Sequence, residues 1–170
     1  EYQSAHADKA EREKAQIRER VPAWEGGHQD HDASHILGVA LANEHQALAH
    51  AYQLPSYHGY KLPGILYRVL NPLPANGPPE TTRLSWGQRL RYLGYLTHYR
   101  SQTMTWVGLG PFYALHYLLQ GTQVRQPVSV ARLFERPHEG PMLYERRRFS
   151  GYDRFVKLAG AFRDKHLRKT

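Results

Sequence analysis

Cysteine is absent from the 170 residues, which removes disulfide cross-links, thiolate metal sites and thiol nucleophiles from consideration. Acidic side chains are scarce after position 32: 8 of the 15 Asp and Glu residues lie in the first 32 positions. Few carboxylates are left to form a paired acid and base. The chain also has no phosphate-cradling glycine loop, no dinucleotide-binding glycine fingerprint and no nucleophile elbow. These absences point away from an enzyme, and no cofactor is expected.

What the chain has in excess is positive charge. The net charge is +8 and the pI about 9.8, values that suit anionic neighbours such as nucleic acid, lipid headgroups or acidic proteins. Its distribution is uneven. Residues 1–32 carry −3, residues 33–100 carry +4, residues 101–124 carry none and residues 125–170 carry +7.

The stretch without charge is Ser101–Val124, 24 residues between Arg100 and Arg125. At ~1.5 Å per residue a helix of this length reaches roughly 36 Å, enough for the ~30 Å hydrocarbon layer of a membrane. Trp106 and Tyr117 are placed as interfacial anchors, and Gly108 and Gly110 allow close approach by another helix. Pro111 and His116 interrupt the apolar run, so the spanning helix expected here should pack against other helices.

Around it, Ala7–Arg20 reads as a charged helix ended by Pro22, and "WEGGHQDHD" as a flexible loop. Residues 33–53 form a soluble helix with Leu37, Leu41, Leu48 and Tyr52 on one face, capped by Asp32 or Ser34. Residues 54–83 hold six of the eleven prolines together with many apolar side chains, the pattern of an extended arm that buries itself on a neighbour. Residues 84–124 start with Ser85 and Gln88 at capping-box spacing and lead into the uncharged stretch. Residues 125–170 are a basic tail closing in a helix with Phe155, Leu158, Ala159 and Phe162 as its apolar stripe.

Two clusters carry candidate chemistry. "HQDHDASH" places His28, His31 and His35 beside Asp30 and Asp32, a set of imidazoles and carboxylates suited to zinc but without a recognised metalloenzyme spacing. "ERRRF" places Arg146, Arg147, Arg148 and Phe149 ahead of Arg154 and Lys157, a basic surface with interleaved aromatics that fits headgroups, acidic subunits or RNA.

The sequence "ILYRVL" contains Leu66, Tyr67 and Arg68, which resembles the LYR tripeptide of small mitochondrial accessory and assembly proteins. That family sets the tripeptide at the start of a three-helix bundle, whereas Asn71, Pro72 and Pro74 would break such a helix here. In overall plan the chain resembles accessory subunits of mitochondrial inner-membrane complexes, such as the respiratory chain or ATP synthase. The resemblance implies a mainly α, extended, non-globular subunit with one transmembrane helix, a non-catalytic role in assembly and stability, and partners among other subunits and anionic lipids. The alternative expectation is a mitochondrial-type ribosomal protein that binds rRNA through its basic tail.

Overall fold

The computed structural model describes residues 20–98 and 103–167. The helix expected over Ala7–Arg20 lies outside them, apart from Arg20. In chain order the elements are β1 (Arg20–Pro22), α1 (Gln29–Glu44), β2 (Tyr52–Leu54), β3 (Tyr57–His58), β4 (Arg68–Val69), β5 (Glu80–Arg83), α2 (Trp86–Tyr95), α3 (Thr103–Leu119), β6 (Thr122–Pro127), α4 (Leu143–Arg146) and α5 (Tyr152–Leu167). Short 3-10 turns fill the connections at Leu48–His50, Pro74–Asn76, Leu96–His98 and Ala131–Phe134.

The fold is mixed α/β, not the mainly α, extended arrangement expected. A four-stranded sheet has the order β1-β2-β6-β5, and β3 and β4 form a separate antiparallel pair. β1 runs parallel to β2, and β6 is antiparallel to both its neighbours, with Tyr52 opposite Pro127 and Thr81 opposite Val124.

No helix among the described residues is long and apolar enough to cross a membrane. The expected span over Ser101–Val124 divides at Gly121. α3 is 17 residues long and its last turn closes on His116, whose carbonyl accepts from the amides of Gln120 and Gly121. Gly121 then adopts φ +58°, a left-handed conformation that glycine reaches cheaply, and the next residues pair as β6. Gln123 and Val124, counted as helix by their lack of charge, are strand. Pro111 sits within α3 on its exposed side without ending it.

The proline-rich segment is folded onto the body and does not extend as an arm. Tyr57, His58, Leu73 and Asn76 are buried, and the Asn76 amide donates to the Trp24 carbonyl at 2.9 Å. The tripeptide Leu66–Arg68 leads into strand β4 and not into a helix. Residues 125–170 are likewise no tail: Met142, Tyr144, Tyr152, Phe155 and Leu167 build one core cluster with Trp24, Ile36, Val39 and Leu133, and α5 packs on α1.

Two helix faces are corrected. α1 starts at Gln29 with His28 as its cap, and it buries His35, Ile36, Val39 and Ala42 while Leu37 and Leu41 stay exposed. Small residues win this face because β1 lies so close: a Cβ on Gly38 would stand 2.2 Å from Val21 Cγ1. On α5, Phe155 is buried and Leu158 points to solvent. The Ser85 cap is as expected, with the Gln88 amide donating to Ser85 Oγ and the Ser85 amide donating to Gln88 Oε1.

Candidate functional site

The turn between β1 and α1, expected to be flexible, is among the most buried parts of the chain. Trp24 is 1% exposed and Glu25 is fully buried. Glu25 Oε1 accepts from the amides of Ser56 and Tyr57, both at 2.9 Å, so this one carboxylate oxygen ties the turn to the entry of the β3–β4 hairpin. Asp32 Oδ1 accepts from the amides of Glu25 and Gly26 at 3.4 and 3.2 Å. The close approach depends on Gly27, where a Cβ would lie 1.9 Å from the Tyr57 carbonyl oxygen.

The remaining oxygens, Glu25 Oε2 and Asp32 Oδ2, are buried without a hydrogen-bond partner. Burial drives both carboxyls toward the neutral form. Glu25 is held well above the ordinary carboxylate range, and Asp32 is pushed up to about 7 against the pull of the Gly26 and Glu25 amides. The Tyr144 hydroxyl lies toward Asp32 and favours its charged form, without closing a hydrogen bond of good geometry. Sealed from solvent, this pair locks the turn.

Beside it a cleft of about 730 Å³ opens between the start of α1, the β3–β4 hairpin, α3 and the segment after α4. Ring contacts run along it without a break. His28 and His31 have centroids 5.8 Å apart, His31 meets the edge of Tyr57 at 5.4 Å, and Tyr57 meets Tyr67 at 6.2 Å. Trp106 stands perpendicular to Tyr113 at 5.7 Å on the opposite wall. The Tyr67 hydroxyl donates to the Gly108 carbonyl at 2.7 Å and the Tyr113 hydroxyl to the Ser56 carbonyl at 3.1 Å, which fix the hairpin to α3.

The three candidate histidines separate. His28 caps α1 by accepting from the Asp30 amide, and its Nδ1 is 3.7 Å from an Asp30 carboxylate oxygen. His31 faces the cleft, and burial lowers its pKa. His35 turns into the core, donates from Nδ1 to the Pro22 carbonyl at 2.6 Å and lies 6.0 Å from Trp24. Burial lowers His35 to about 4. Among the described residues no group of three His, Asp or Glu side chains is placed to hold a metal ion.

The basic cluster divides in the same way. Arg146 Nη1 donates to the carbonyls of Gly59, Leu62 and Gly64 and so closes the hairpin loop. Arg147 lies over the Tyr67 ring, 5.2 Å from its centroid, at the wall of the cleft. Arg148 takes φ +60° just after α4, and Phe149, 68% exposed, follows at the cleft mouth. Arg154 and Lys157 are exposed on α5.

The residues chosen as a membrane span form two opposite sides of α3. Trp106, His116 and Tyr117 point inward; Tyr117 stacks on Tyr92 at 5.8 Å, and His116 Nε2 donates to the Thr122 carbonyl at 2.9 Å. Gly108 and Pro111 lie outward, and Gly110 is half-buried beside them. The outward side also presents Met104, Val107, Phe112, Leu115, Leu118 and Leu119 to solvent. The ordinary amphipathic arrangement is inverted: polar-tipped aromatics and an imidazole face the protein, and aliphatic side chains face water.

Glu25, Tyr57 and Tyr113 had no signal in the sequence, since they come from separate segments and match no motif, and Tyr67 stood out only within the Leu66–Arg68 tripeptide, which gave no hint of a cleft. A burial-prone Trp24 next to Glu25 was the one local cue. In comparisons with known protein families, curated proteins and solved structures, the chain matches none.

Proposed function

We propose that the chain is a non-catalytic subunit of a larger protein assembly, docked through the outward face of α3. One observation carries the reading: Met104, Val107, Leu115 and Leu119 are each more than half exposed at helical spacing on a single face. Burying a large aliphatic side chain stabilises by ~1.5–3 kcal/mol, and a contiguous apolar face of this kind marks an interaction site. Trp86 and Leu90 of the neighbouring α2 are exposed as well and enlarge the apolar area.

A protein partner fits better than a lipid surface. Helices that lie in a membrane interface carry Lys and Arg along their polar face, and Thr103–Leu119 contains neither. The non-catalytic role is supported by the seal over Glu25 and Asp32, which leaves that carboxylate pair outside the cleft. The reading keeps the accessory-subunit role implied by the resemblance and drops the membrane anchor.

A photo-crosslinking side chain at Leu115 should capture one partner protein in the native host. Leu115→Asp should move the chain from a high-mass fraction to its own mass of 19.7 kDa in a gentle extract. Wild-type chain that migrates at its own mass defeats the proposal. Release by RNase with no effect of Leu115→Asp puts the RNA-binding alternative, through the basic C-terminal segment, in its place.

A further inference from the structure

The cleft between α1, the β3–β4 hairpin and α3 opens along the flank of α3 that carries Trp106, Leu109 and Tyr113; it meets the docking face only at Met104, and that face does not explain it. We infer that this cleft is a nucleotide site, receiving an aromatic base that carries a phosphate. The inference does not rest on the docking role.

Three observations lead to this ligand. The first is the wall chemistry. Tyr57, Tyr67, Trp106, Tyr113 and Phe149 line a single space of about 730 Å³, within the range of small-molecule sites and too large for a lone six-membered ring. Flat rings gain most from offset and edge contacts with such walls.

The second is the charge. Aromatic walls also attract cations, but the face of Tyr67 is already covered from within by the Arg147 guanidinium. Among the described residues Arg147 has no carboxylate within ion-pair distance, and Asp30, the acidic group on the cleft wall, has a side chain 88% exposed to water. Arg147 thus brings to the cleft a guanidinium with no anionic partner, the side chain best shaped to grip a phosphate.

The third is Phe149. Its backbone is aimed by the left-handed turn at Arg148, a conformation normally left to glycine, with the Phe149 amide donating to the Tyr144 carbonyl at 3.0 Å. The turn sets a large aromatic ring at the mouth of the cleft with most of its surface in water. A base entering beside it would recover that surface by stacking. His28, His31 and Ser56 supply hydrogen-bonding groups for the base edge.

The phosphate-bearing base has two sources, a free nucleotide or a nucleotide unit of single-stranded RNA. Titration of the full chain with AMP, adenosine, ribose 5-phosphate and a short single-stranded RNA, followed by calorimetry, tests the inference and tells the sources apart. AMP should bind at least about tenfold more tightly than adenosine, which lacks the phosphate, and than ribose 5-phosphate, which lacks the base. Arg147→Gln should remove most of the advantage over adenosine. Phe149→Ala, at an exposed position that leaves the core untouched, should weaken AMP at least about fivefold. RNA binding tighter than AMP, with the same loss in both variants, identifies the polynucleotide as the source; RNA no tighter than AMP identifies the free nucleotide. Equal binding of AMP and adenosine, no response to either variant, or no binding of any of the four at millimolar concentration overturns the inference.

Discussion

Glu25 and Asp32 meet in one turn with no solvent contact: the Glu25 amide donates to Asp32 Oδ1 at 3.4 Å, and both carboxyls are raised by burial. A carboxyl whose folded pKa is raised binds its proton more firmly in the native state. Its stabilising share is therefore complete below the unfolded value near 3.8 and is lost as pH rises through the folded value of about 7. Asp32→Asn removes that titration while keeping an oxygen to accept the two amides. Relative to the wild type, the variant should gain up to about 4 kcal/mol between pH 4 and pH 8, read by urea denaturation across that range. A wild-type-to-variant difference that stays constant with pH refutes the assignment.

His35 and His58 work in the opposite sense. Burial lowers each to about 4, so the native state holds them neutral. His58 donates from Nε2 to the Asn71 carbonyl and accepts at Nδ1 from the Tyr60 amide, which leaves no place for a second proton. Their contribution to stability is complete above the unfolded value near 6.5 and is lost as pH falls toward 4. In an NMR titration their ring protons should hold steady from pH 7 to pH 5 and move only below that. A midpoint near 6.5 for either ring contradicts the burial account.

Gly38 is the contact point of α1 with β1. Alanine in a helix interior ordinarily gains up to about 1 kcal/mol over glycine, but here the new methyl would meet Val21 Cγ1 at 2.2 Å, and a β-branched side chain has little room to turn away. Gly38→Ala should destabilise the chain by about 1–3 kcal/mol. Combined with Val21→Ala, it should cost less than the sum of the two single changes. Strict additivity in this double-mutant cycle shows that the two do not touch.

Arg146 holds three carbonyls of the loop that contains Lys61. Replacing it with Met keeps the stem and removes every donor. Trypsin should then cut after Lys61 at least about tenfold faster while the melting temperature moves little, because local opening and not global unfolding exposes the bond. Unchanged cleavage shows that the loop is held by other contacts.

The outward aliphatic residues of α3 should be dispensable for folding. Val107→Asp and Leu115→Asp each should change stability by no more than about 0.5 kcal/mol, the range for exposed sites, and should raise solubility. A large loss in thermal denaturation shows that this face is covered within the chain itself.

How far the sequence disclosed this molecule depends on the range of the contacts involved. The α2 start was legible because Ser85 and Gln88 satisfy each other three residues apart. The closing helix was legible as a helix, but not its buried face, since Leu158 points to solvent. The sheet was not, since its strands are three to six residues long and Tyr52 finds its partner at Pro127. The uncharged stretch misled because hydropathy sums a window and carries no direction: Tyr113, His116 and Tyr117 point in, and Leu115, Leu118 and Leu119 point out. The aromatic cleft draws on five separate stretches of chain, so no spacing could announce it.

The placement of β6 between β2 and β5 has a consequence for biosynthesis. The strand that completes the four-stranded sheet is the last of its strands to be made, and Gln126 and Gln53 lock it by donating to the carbonyls of Leu73, Gly77 and Pro127. Until Pro127 has left the ribosome, β1 and β2 have only each other to pair with, β5 has no partner, and α5 has yet to cover α1. A nascent chain that stops short of α5 therefore leaves the inner face of α1, with Ile36 and Val39, uncovered, and anything that shields that face acts before the fold exists.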